Sequence, residues 1–459
     1  MESLPKRPLS PQASLARTKH LKVESITSTA PRDVPVSAPT FTHHLPPPSL
    51  SSPPPAPPPF QQPSPLFTYS MAGPSDPSGH RILLFDNSAA ASFAPPPMNA
   101  NLDEGFERCV WRDEIKSVKE GVDGLVRGLE RLEGRTGGNK VLGKGKEGFV
   151  TWRGVLTKLI TAPYEDRNSW ELNAMLAPDG NIYVENHKTP DKSPSLYGEN
   201  PRQKRMTYYG YSFESYCTIP PASSSQSHVR RPDSSNKAKG WGSDVDTNSE
   251  WCVVVKTALA GVRLVLGGEV DCVEGTYNGT LRNAIELKTN RLIRSDRDEV
   301  FFEKKLLKHW AQSFLLSIPT IMIGFRSDRP PTIQSVQTFR TMDIPRLVRD
   351  KPGGWQPGVC LNFGKQALEF IRGVVRDGEG DGRDTGKTVW RIKFAPLKGL
   401  EMRPLDASEI PELESGRPPI DNWIPARWGF LPGWMAPNAS RVDTNLEADA
   451  QEDHQPPSP

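Results

Sequence analysis

The chain has 459 residues and a net charge of only +3, so its composition excludes a strongly basic surface and leaves any nucleic-acid binding to a local groove. Its five cysteines show no CxxC spacing, which argues against a disulfide framework or a zinc knuckle and favours a reducing compartment. No apolar run approaches the roughly 20 residues needed to span a bilayer, and the N-terminus lacks the pattern of a signal peptide. We therefore expect a soluble intracellular protein with no membrane partner.

Proline distinguishes the N-terminal part of the chain from its middle. Of the 47 prolines, 22 lie in the first 100 residues, and a segment of this composition cannot build a hydrophobic core. We predict a disordered, Pro/Ser-rich arm over residues 1–64, with folded sequence beginning near Leu66, and a disordered tail over 437–459. The remaining residues, 65–436, number about 370, enough for one domain with a sizeable core.

Apolar periodicity predicts an irregular alternation of helices and strands along this domain. In chain order the predicted elements are a helix at 113–132, strands at 149–152, 170–175 and 181–185, a polar loop at about 223–249, strands at 251–256, 262–273 and 284–289, a helix at 301–317, a strand at 318–325 and a helix at 366–375. Pro178-Asp179-Gly180 is typical of a hairpin turn between two of these strands. The irregular order favours an α/β (α+β) fold with mixed central β-sheets flanked by helices.

The predicted strand 262–273 carries the first chemical signal, the sequence GGEVDC at 267–272. Because side chains alternate along a strand, Glu269 and Asp271 should point to the same face, next to the apolar run 264–266. Two carboxylates on one face of a buried strand repel each other and lose hydration. Such a pair therefore requires a neutralising cation or proton.

The next predicted strand repeats the arrangement, with Glu286 and Lys288 on one face between apolar Ile285 and Leu287. Few residues separate the two strands, so we expect them to pair as neighbours and to gather the four polar side chains. Three carboxylates suit a hard, oxygen-preferring ion such as Mg²⁺ or Mn²⁺, and a lysine suits a phosphoryl oxygen that gains charge during reaction. This E-x-D/E-x-K nuclease-like core predicts an active-site cleft between sheets, with two ions at the reacting phosphate.

A further acidic residue, Glu214, follows the aromatic stretch 209–213 and could join the same cluster through a water as an outer member. The alternative to a metal site is an exposed hairpin in which Glu286 and Lys288 form an ordinary cross-strand salt bridge, because E-x-K alone is weak evidence. The apolar neighbours of both motifs favour the metal site.

Six motifs in a fixed order resemble the DXO/RAI family of RNA 5′-end decapping nucleases, also described as NAD-cap hydrolases. They are Trp152-Arg153-Gly154, the GYSFE segment ending at Glu214, GGEVDC at 267–272, IELKT at 285–289, KLLKHWAQSFLL at 305–316, and Gly324-Phe325-Arg326. The resemblance covers residues from about 100 to about 330 and leaves out the proline-rich arm and the tail.

Carried over by position, the resemblance implies a metal site and a substrate site. The implied metal ligands are Glu214, Glu269, Asp271, Glu286 and the backbone carbonyl of Leu287. The implied substrate contacts are Arg81, Glu120, Trp152, Arg153, Gly154, Cys252, Glu269, Lys288 and Gln312. The four carboxylates and Lys288 would be the catalytic residues. Arg153 and Lys288 suit phosphate because both are cationic donors, whereas Cys252 would be a pocket wall and not a nucleophile.

The function that the resemblance implies is metal-dependent hydrolysis at RNA 5′ ends. The implied substrates are 5′-triphosphates, incompletely methylated guanosine caps and NAD caps, and the product is 5′-monophosphate RNA for 5′→3′ decay. Family members also bind and stimulate the nuclear 5′→3′ exoribonuclease. The resemblance therefore implies that partner, nuclear localisation, and RNA rather than DNA as the substrate.

Three other functions remain open on the sequence. The chain could be a distributive cytoplasmic 5′→3′ exoribonuclease with decapping activity, a catalytically reduced scaffold for the exoribonuclease, or a DNA nuclease with the same core chemistry. A scaffold gains nothing from a buried acidic cluster, so intact Glu269, Asp271, Glu286 and Lys288 argue against it. The WRG and AQSFLL segments argue against a DNA nuclease.

Overall fold

The computed structural model describes residues 43–48, 50, 55–74, 80–113, 120–137, 140–142, 147–187, 200–221, 244–378, 388–415, 417 and 427–437. The strands within these residues are β1 (His43–Leu45), β2 (Ser64–Ala72), β3 (Ile82–Leu84), β4 (Ser92–Phe93), β5 (Gly148–Trp152), β6 (Trp170–Leu176), β7 (Ile182–His187), β8 (Thr218–Ile219), β9 (Glu250–Leu259), β10 (Val262–Glu269), β11 (Cys272–Val273), β12 (Ala284–Arg291), β13 (Thr320–Arg326), β14 (Ile333–Arg340), β15 (Trp390–Ala395), β16 (Gly399–Pro404), β17 (Arg427–Trp428) and β18 (Leu431–Pro432). The helices are α1 (Asp123–Arg135), α2 (Arg153–Thr161), α3 (Pro201–Tyr216), α4 (Asp296–Leu316), α5 (Ile344–Leu347), α6 (Pro357–Asp377) and α7 (Ile410–Glu414).

Two large mixed sheets form the framework. The ten-stranded sheet has the order β1-β16-β15-β6-β7-β5-β10-β9-β2-β3, and the six-stranded sheet has the order β14-β13-β12-β11-β4-β8. In the first sheet β5 pairs in parallel with both β7 and β10, and in the second β12 pairs in parallel with β13. Many of the other strand pairs are antiparallel, for example β9 with β10. The predicted mixed α/β architecture is therefore confirmed.

Helices bury the apolar face of the ten-stranded sheet. The run Val262–Leu266 on β10 is apolar apart from Arg263, and α2 packs between this sheet and the helices α4 and α6. The crossover from β12 to the parallel β13 is made by α4, as parallel neighbours require a long connection. Trp310 on α4 is 2% exposed and stacks against Phe314 at 5.0 Å between ring centroids. The core thus lies directly behind the strands that carry the acidic motifs.

Most predicted elements are present, with two differences. The predicted strand 262–273 is two strands, because β10 ends at Glu269 in the ten-stranded sheet and β11 begins at Cys272 in the six-stranded sheet. The predicted helix 113–132 is present only from Asp123, and residues 114–119 lie outside the described part of the chain. The turn at Pro178–Gly180 is confirmed: Gly180 has φ +82°, and the Ala177 amide donates to the Asn181 carbonyl.

Part of the predicted proline-rich arm lies on the sheet. His43–Leu45 pairs antiparallel with β16, and the ring of Phe60 lies 4.6 Å from that of Phe314. The fold thus includes residues before Leu66, which are held by backbone pairing at the sheet edge and by the packing of Leu45 and Phe60 on the core. These two contacts are isolated, so no apolar pattern in the sequence marks them. The rest of the arm up to residue 42, most of the loop 223–249 and the tail after 437 fall outside the described residues, and the boundaries 65–436 stay a prediction.

All five cysteines are free thiols, four of them buried. No helix in the described ranges is long and apolar enough to cross a membrane.

Candidate active site

The acidic motifs meet where the two large sheets adjoin. Glu269 is the last residue of β10 in the ten-stranded sheet, whereas Glu286 and Lys288 lie on β12 in the six-stranded sheet. Asp271 lies in the two-residue link between β10 and β11. The expectation that β10 and β12 pair as neighbours is therefore wrong; only Cys272–Val273 of the predicted strand pairs with β12. The predicted gathering of the four side chains nevertheless occurs, because the link brings both sheets together at this point.

Lys288 is the centre of the cluster. Its Nζ lies 2.7 Å from Glu286 Oε1 and 3.4 Å from Asp271 Oδ2, and it donates to the Leu287 carbonyl at 2.9 Å. The Leu287 amide donates to Asp271 Oδ2 at 2.6 Å, which fixes that carboxylate beside the lysine. Although burial opposes its charge, the carboxylates of Asp271 and Glu286 raise the pKa of Lys288 above its ordinary value. Lys288 is therefore a permanently charged ammonium group in this site.

Arg153 supplies a second cation from the other sheet. It is the first residue of α2, directly after β5, and its Nη1 lies 3.1 Å from Glu286 Oε2 and 3.5 Å from the Gln312 carbonyl. The side chain of Glu286 is 1% exposed and held between Arg153 and Lys288. An exposed hairpin with an ordinary salt bridge, the alternative on the sequence, is thereby excluded.

Glu214 reaches the cluster from a helix. The aromatic stretch before it belongs to α3, so its pattern is not the alternation of a strand. One turn of helix places Tyr211 and Glu214 on the same side, and both line the cleft that also contains Glu269 and Asp271. Burial, followed by the charge of Asp271, raises the pKa of Glu214 well above its ordinary value. Glu214 is thus an electrostatic member of the cluster.

The carboxylates together carry more negative charge than the two cations neutralise. Burial and the charges of Glu250 and Asp271 raise the pKa of Glu269 to about 8, and burial raises that of Asp271. Burial acts on Glu286 in the same direction, but the charges of Lys288 and Arg153 outweigh it and lower the pKa of Glu286 to about 2. Only Glu286 is therefore fully compensated by protein cations.

This donor set fits a divalent ion. All candidate ligands are carboxylate or carbonyl oxygens, which hard ions such as Mg²⁺, Mn²⁺ and Ca²⁺ prefer, and the uncompensated charge favours a cation. In the described part of the chain, however, no three His, Cys, Asp or Glu side chains already stand close enough together to hold an ion. Lys288 Nζ lies between Asp271 and Glu286 instead. Ion binding would therefore require these side chains to turn towards one another.

The raised pKa values predict that the metal-free protein loses stability as pH rises from about 6.5, above which the opposite shift of buried His309 no longer contributes, to about 8. Glu269 has a folded pKa of about 8 against an ordinary value of 4.5, so in this window the folded chain holds a proton that the unfolded chain has released. The free energy of unfolding must then fall with rising pH. Glu286 shifts in the opposite direction, and its contribution is lost only below pH 4.5, outside this window.

Thermal unfolding in EDTA across this pH range would test the prediction. We expect the Tm to fall towards pH 8 and Mg²⁺ or Mn²⁺ to restore it. A Tm that rises from pH 6.5 to pH 8 without metal would contradict the raised pKa of Glu269.

Two further residues implied as substrate contacts, Trp152 and Cys252, border the cluster. Trp152 precedes Arg153, pairs in register with Gly267, and donates its indole N–H to the Gly121 carbonyl at 2.7 Å. A Cβ on Gly267 would lie 3.0 Å from the Trp152 ring, so this glycine permits the indole to lie against β10. Cys252 is 2% exposed, lies opposite Glu269 on β9, and has a pKa raised by burial. It is a wall and not a thiolate nucleophile.

The other implied contacts are distributed around this core. Gly154 is exposed, and a Cβ there would meet nothing within 4 Å, so its backbone is open to a ligand. Gln312 on α4 places its carbonyl beside Arg153. These positions are compatible with substrate contact, and their assignment stays a prediction.

Arg81 and Glu120, which the sequence placed far apart, are in direct contact. Arg81 Nε donates to Glu120 Oε1 at 2.9 Å, and Arg81 Nη1 lies 2.6 Å from Glu250 Oε2. Arg112 binds the other oxygen of Glu250 at 2.6 Å. The sequence reasoning missed Glu250 and Arg112. The alternation of side chains along a strand could have indicated Glu250. It shares a face of β9 with Cys252, and Cys252 lies opposite Glu269.

A cleft joins this network to the acidic cluster. It measures about 970 Å³, including the part open to solvent, and its walls include Tyr211, Glu214, Glu250, Glu269 and Asp271. Two of these residues belong to α3, and the others to β9, β10 and the link after β10. The predicted cleft between the sheets is therefore present. Three candidate ligands, Glu214, Glu269 and Asp271, line it, and Arg81 and Arg112 bind Glu250 in the same wall.

Comparison with known proteins identifies this arrangement. The profile of the RAI1 like PD-(D/E)XK nuclease family matches residues 61–427. The decapping nuclease RAI1 of Cryptococcus neoformans var. neoformans is 39% identical over 343 residues, covering 70% of this chain and 84% of that protein. The human decapping and exoribonuclease protein is 35% identical over 326 residues, covering 69% of this chain and 76% of that protein.

A solved structure shares the fold. The crystal structure of Scheffersomyces stipitis Rai1 in complex with (3′-NADP)+ and a calcium ion is 25% identical to this chain, with a TM-score of 0.62. The alignment covers 78% of this chain and 93% of that one. The resemblance read from six motifs is confirmed, and the chain belongs to the RAI1-like PD-(D/E)XK nuclease family.

Proposed function

We propose that this chain is a divalent-metal hydrolase of RNA 5′ ends. Its substrates would be 5′-triphosphate RNA, incompletely methylated guanosine caps and NAD caps, and its product 5′-monophosphate RNA. The observation that carries the proposal is the cluster of four carboxylates around Lys288 and Arg153 where the two sheets adjoin, three of which line the cleft. The names of the relatives, which are decapping nucleases, support RNA 5′ ends as the substrate.

The proposed metal site would use Glu214, Glu269, Asp271, Glu286 and the Leu287 carbonyl, and would hold Mg²⁺ or Mn²⁺, in our proposal as two ions. When bound, such ions supply Lewis acidity and lower the pKa of water, which favours attack on phosphorus. The calcium ion in the Scheffersomyces stipitis structure supports a divalent site. Asp271 is already oriented for this role by the Leu287 amide, which holds one of its oxygens.

Lys288 and Arg153 would stabilise the charge that develops on the phosphoryl oxygens. Both are cationic donors in a partly buried site, where electrostatic stabilisation exceeds its value in water. Trp152 and Cys252 would form walls that position the terminal nucleotide and exclude solvent. Arg81, held by Glu120 and Glu250, would complete the wall on the far side.

The partner and the location are proposed on the family resemblance. We propose that the chain binds and stimulates a nuclear 5′→3′ exoribonuclease and therefore acts in the nucleus. A direct test is co-purification of that exoribonuclease with the full-length chain from nuclear extract, together with stimulation of its activity by the purified chain. Failure of both would remove the partner and the location without affecting the hydrolase.

A second candidate function is distributive 5′→3′ exoribonuclease activity in the same site. The observation that favours it is the name of the human relative, a decapping and exoribonuclease protein 35% identical to this chain. The chemistry is the same, because a water attacks a phosphodiester in place of a phosphoanhydride. The two functions differ in whether 5′-monophosphate RNA is consumed.

A panel of RNAs separates these functions. The chain should be incubated with 5′-triphosphate, unmethylated-cap, NAD-capped and 5′-monophosphate RNA in Mg²⁺ or Mn²⁺, with EDTA as the control. We expect the first three to be converted to 5′-monophosphate RNA and EDTA to stop the reaction. Degradation of 5′-monophosphate RNA would establish the exonuclease, and inertness towards all four substrates would overturn the hydrolase proposal.

A further inference from the structure

Residues 55–62, the part of the proline-rich arm that precedes β2, lie across the helices as a strap. Gly358, the second residue of α6, makes room for the strap, because a Cβ at this position would overlap the Pro55 carbonyl oxygen. Asn362 on the same helix donates its side-chain amide to the Ala56 carbonyl at 2.8 Å. The first residues of the strap are therefore held on α6.

The middle of the strap is bound to the hairpin formed by β9 and β10. The Ala260 amide donates to the Pro59 carbonyl at 2.7 Å, and the Gln61 amide donates to the Ala258 carbonyl at 2.8 Å. These two backbone hydrogen bonds lie on either side of Phe60. They fix the backbone at Phe60, and therefore also the direction in which its side chain leaves the strap.

Phe60 and Gln62 both contact the C-terminal end of α4. The Phe60 ring lies 4.6 Å from the ring of Phe314, which in turn stacks on buried Trp310. Gln62 donates its side-chain amide to the hydroxyl of Ser317, the residue that ends the helix with a φ of +62°. The strap thus supports the last turn of α4 at two positions.

The same turn of α4 contacts the active site. The Gln312 carbonyl lies 3.5 Å from Arg153 Nη1, and the C-terminal end of a helix carries partial negative charge, which favours a guanidinium. Leu316 and Arg153 both pack at Gly268, where a Cβ would lie 2.7 Å from Leu316 Cδ1 and 3.1 Å from Arg153 Cβ. Gly268 directly precedes Glu269. The position of this turn therefore determines where Arg153 lies in the site.

We propose that Phe60 and Gln62 are positioning residues for Arg153 and that they act through the last turn of α4. The inference rests on the proposed function, in which Arg153 stabilises the charge that develops on the phosphoryl oxygens. Such a group must be held in place before the reaction, since a displacement of about 1 Å can cost on the order of 10²-fold in rate. Part of the proline-rich arm is then a support of the active site.

Phe60→Ala in the full-length chain tests the strap. With 5′-triphosphate RNA and Mn²⁺, at a temperature well below the Tm of every variant, we expect kcat to fall on the order of tenfold while KM changes less than about twofold. The reason is that Arg153 acts on charge that exists only in the transition state. Phe60→Tyr keeps the ring and should restore kcat. A wild-type kcat in Phe60→Ala would overturn the proposal.

Leu45→Ala is the matched control. Leu45 belongs to the same proline-rich arm and, like Phe60, is a partly buried side chain packed on the main core. It lies on β1, at the edge of the ten-stranded sheet, six strand positions from β10, or about 29 Å at about 4.8 Å per strand. Leu45→Ala should lower the Tm and leave kcat unchanged. If it lowers kcat as much as Phe60→Ala does, the effect is general destabilisation and the proposal is overturned.

A double-mutant cycle with Arg153→Gln tests whether Phe60 acts through Arg153. Substitutions of residues that act on one another are not additive. Phe60→Ala should therefore lower kcat in the wild-type background and lower it no further in the Arg153→Gln background. An equal fold-loss in the two backgrounds would show that Phe60 does not act through Arg153.

Hydrogen exchange separates failure of the strap from failure of the proposed function, because it needs no turnover. The Ser317 and Ile318 amides donate to the Phe314 and Ser313 carbonyls at 3.1 and 2.8 Å at the end of α4. We expect these amides to exchange faster in Phe60→Ala than in Leu45→Ala, even if no RNA 5′ end is hydrolysed. Equal exchange in the two variants, with hydrolysis intact in the wild type, rejects the strap and leaves the hydrolase standing.

Discussion

Replacing Glu269 and Asp271 together with alanine is expected to lower kcat for 5′-triphosphate RNA at least about 10³-fold. The double variant removes two of the four carboxylates that would hold the divalent ion. It should not unfold the protein, because burial raises the pKa of both carboxylates and their removal relieves repulsion. We therefore expect the Tm measured in EDTA at pH 8 to be unchanged or higher, while single-turnover hydrolysis is lost.

Glu274→Ala provides the control for that experiment. Glu274 is an exposed acid a few residues after Asp271, between β11 and β12, and its loss changes net charge without touching the cluster. This variant should hydrolyse RNA at the wild-type rate. Retention of activity by the Glu269/Asp271 double variant would show that the cluster is not the metal site.

Arg417→Met is expected to lower the free energy of unfolding by about 3–5 kcal/mol, the cost of leaving a buried partner charge unpaired. Arg417 and Glu185 are only 4% and 3% exposed, and Arg417 binds both carboxylate oxygens at 2.6 and 3.1 Å. The pair packs directly on Gly121, where it leaves no room for a Cβ. Gly121 also has a φ of +51°, which favours glycine, and its carbonyl accepts the hydrogen bond of the Trp152 indole. The variant should therefore also raise KM for RNA, through Trp152.

Chemical denaturation at pH 7 and steady-state kinetics on the folded fraction test both parts of this prediction. Arg403→Met is the comparison, since Arg403 also binds both oxygens of one carboxylate, at 2.6 and 2.7 Å, but its partner Glu409 is 30% exposed. Arg403→Met should lower the free energy of unfolding by less than Arg417→Met does, and it should leave KM for RNA unchanged. Equal destabilisation by the two substitutions would mean that the Glu185–Arg417 pair does not anchor the Trp152 region.

The clustering of the acidic side chains around Lys288 was predictable because it depends on local spacing. Glu269 with Asp271 and Glu286 with Lys288 are each two residues apart, and apolar neighbours indicated that both pairs are buried. Glu286, at 1% exposure, confirms that reasoning, whereas Glu269, Asp271 and Lys288 are only partly buried. The mixed sheets followed from the irregular order of the elements, and the family followed from six ordered motifs.

The features that sequence reasoning missed depend on contacts between distant segments. No local pattern marks the passage of the chain from one sheet to the other between Glu269 and Cys272, since both flanks are strands. Glu214 was placed after an alternating aromatic stretch, yet tertiary packing makes that stretch a helix capped by Asn200, whose side chain accepts from the Gln203 amide. The Glu250 and Arg112 contacts likewise required the fold, because a lone acid at the start of a strand has no local signature.

The chain order of the site has a consequence for how activity appears during folding. Arg153, Glu214, Glu269, Glu286 and Gln312 come from five separate elements. The strand β5, which leads into Arg153, pairs with β7 on one side and completes its pairing only when the distant β10 is in place on the other. Pairings between segments so far apart in sequence form slowly, because loop closure must precede them. Helical content will therefore return early in refolding while hydrolysis returns late, and recovered activity will report the completed long-range topology rather than local structure.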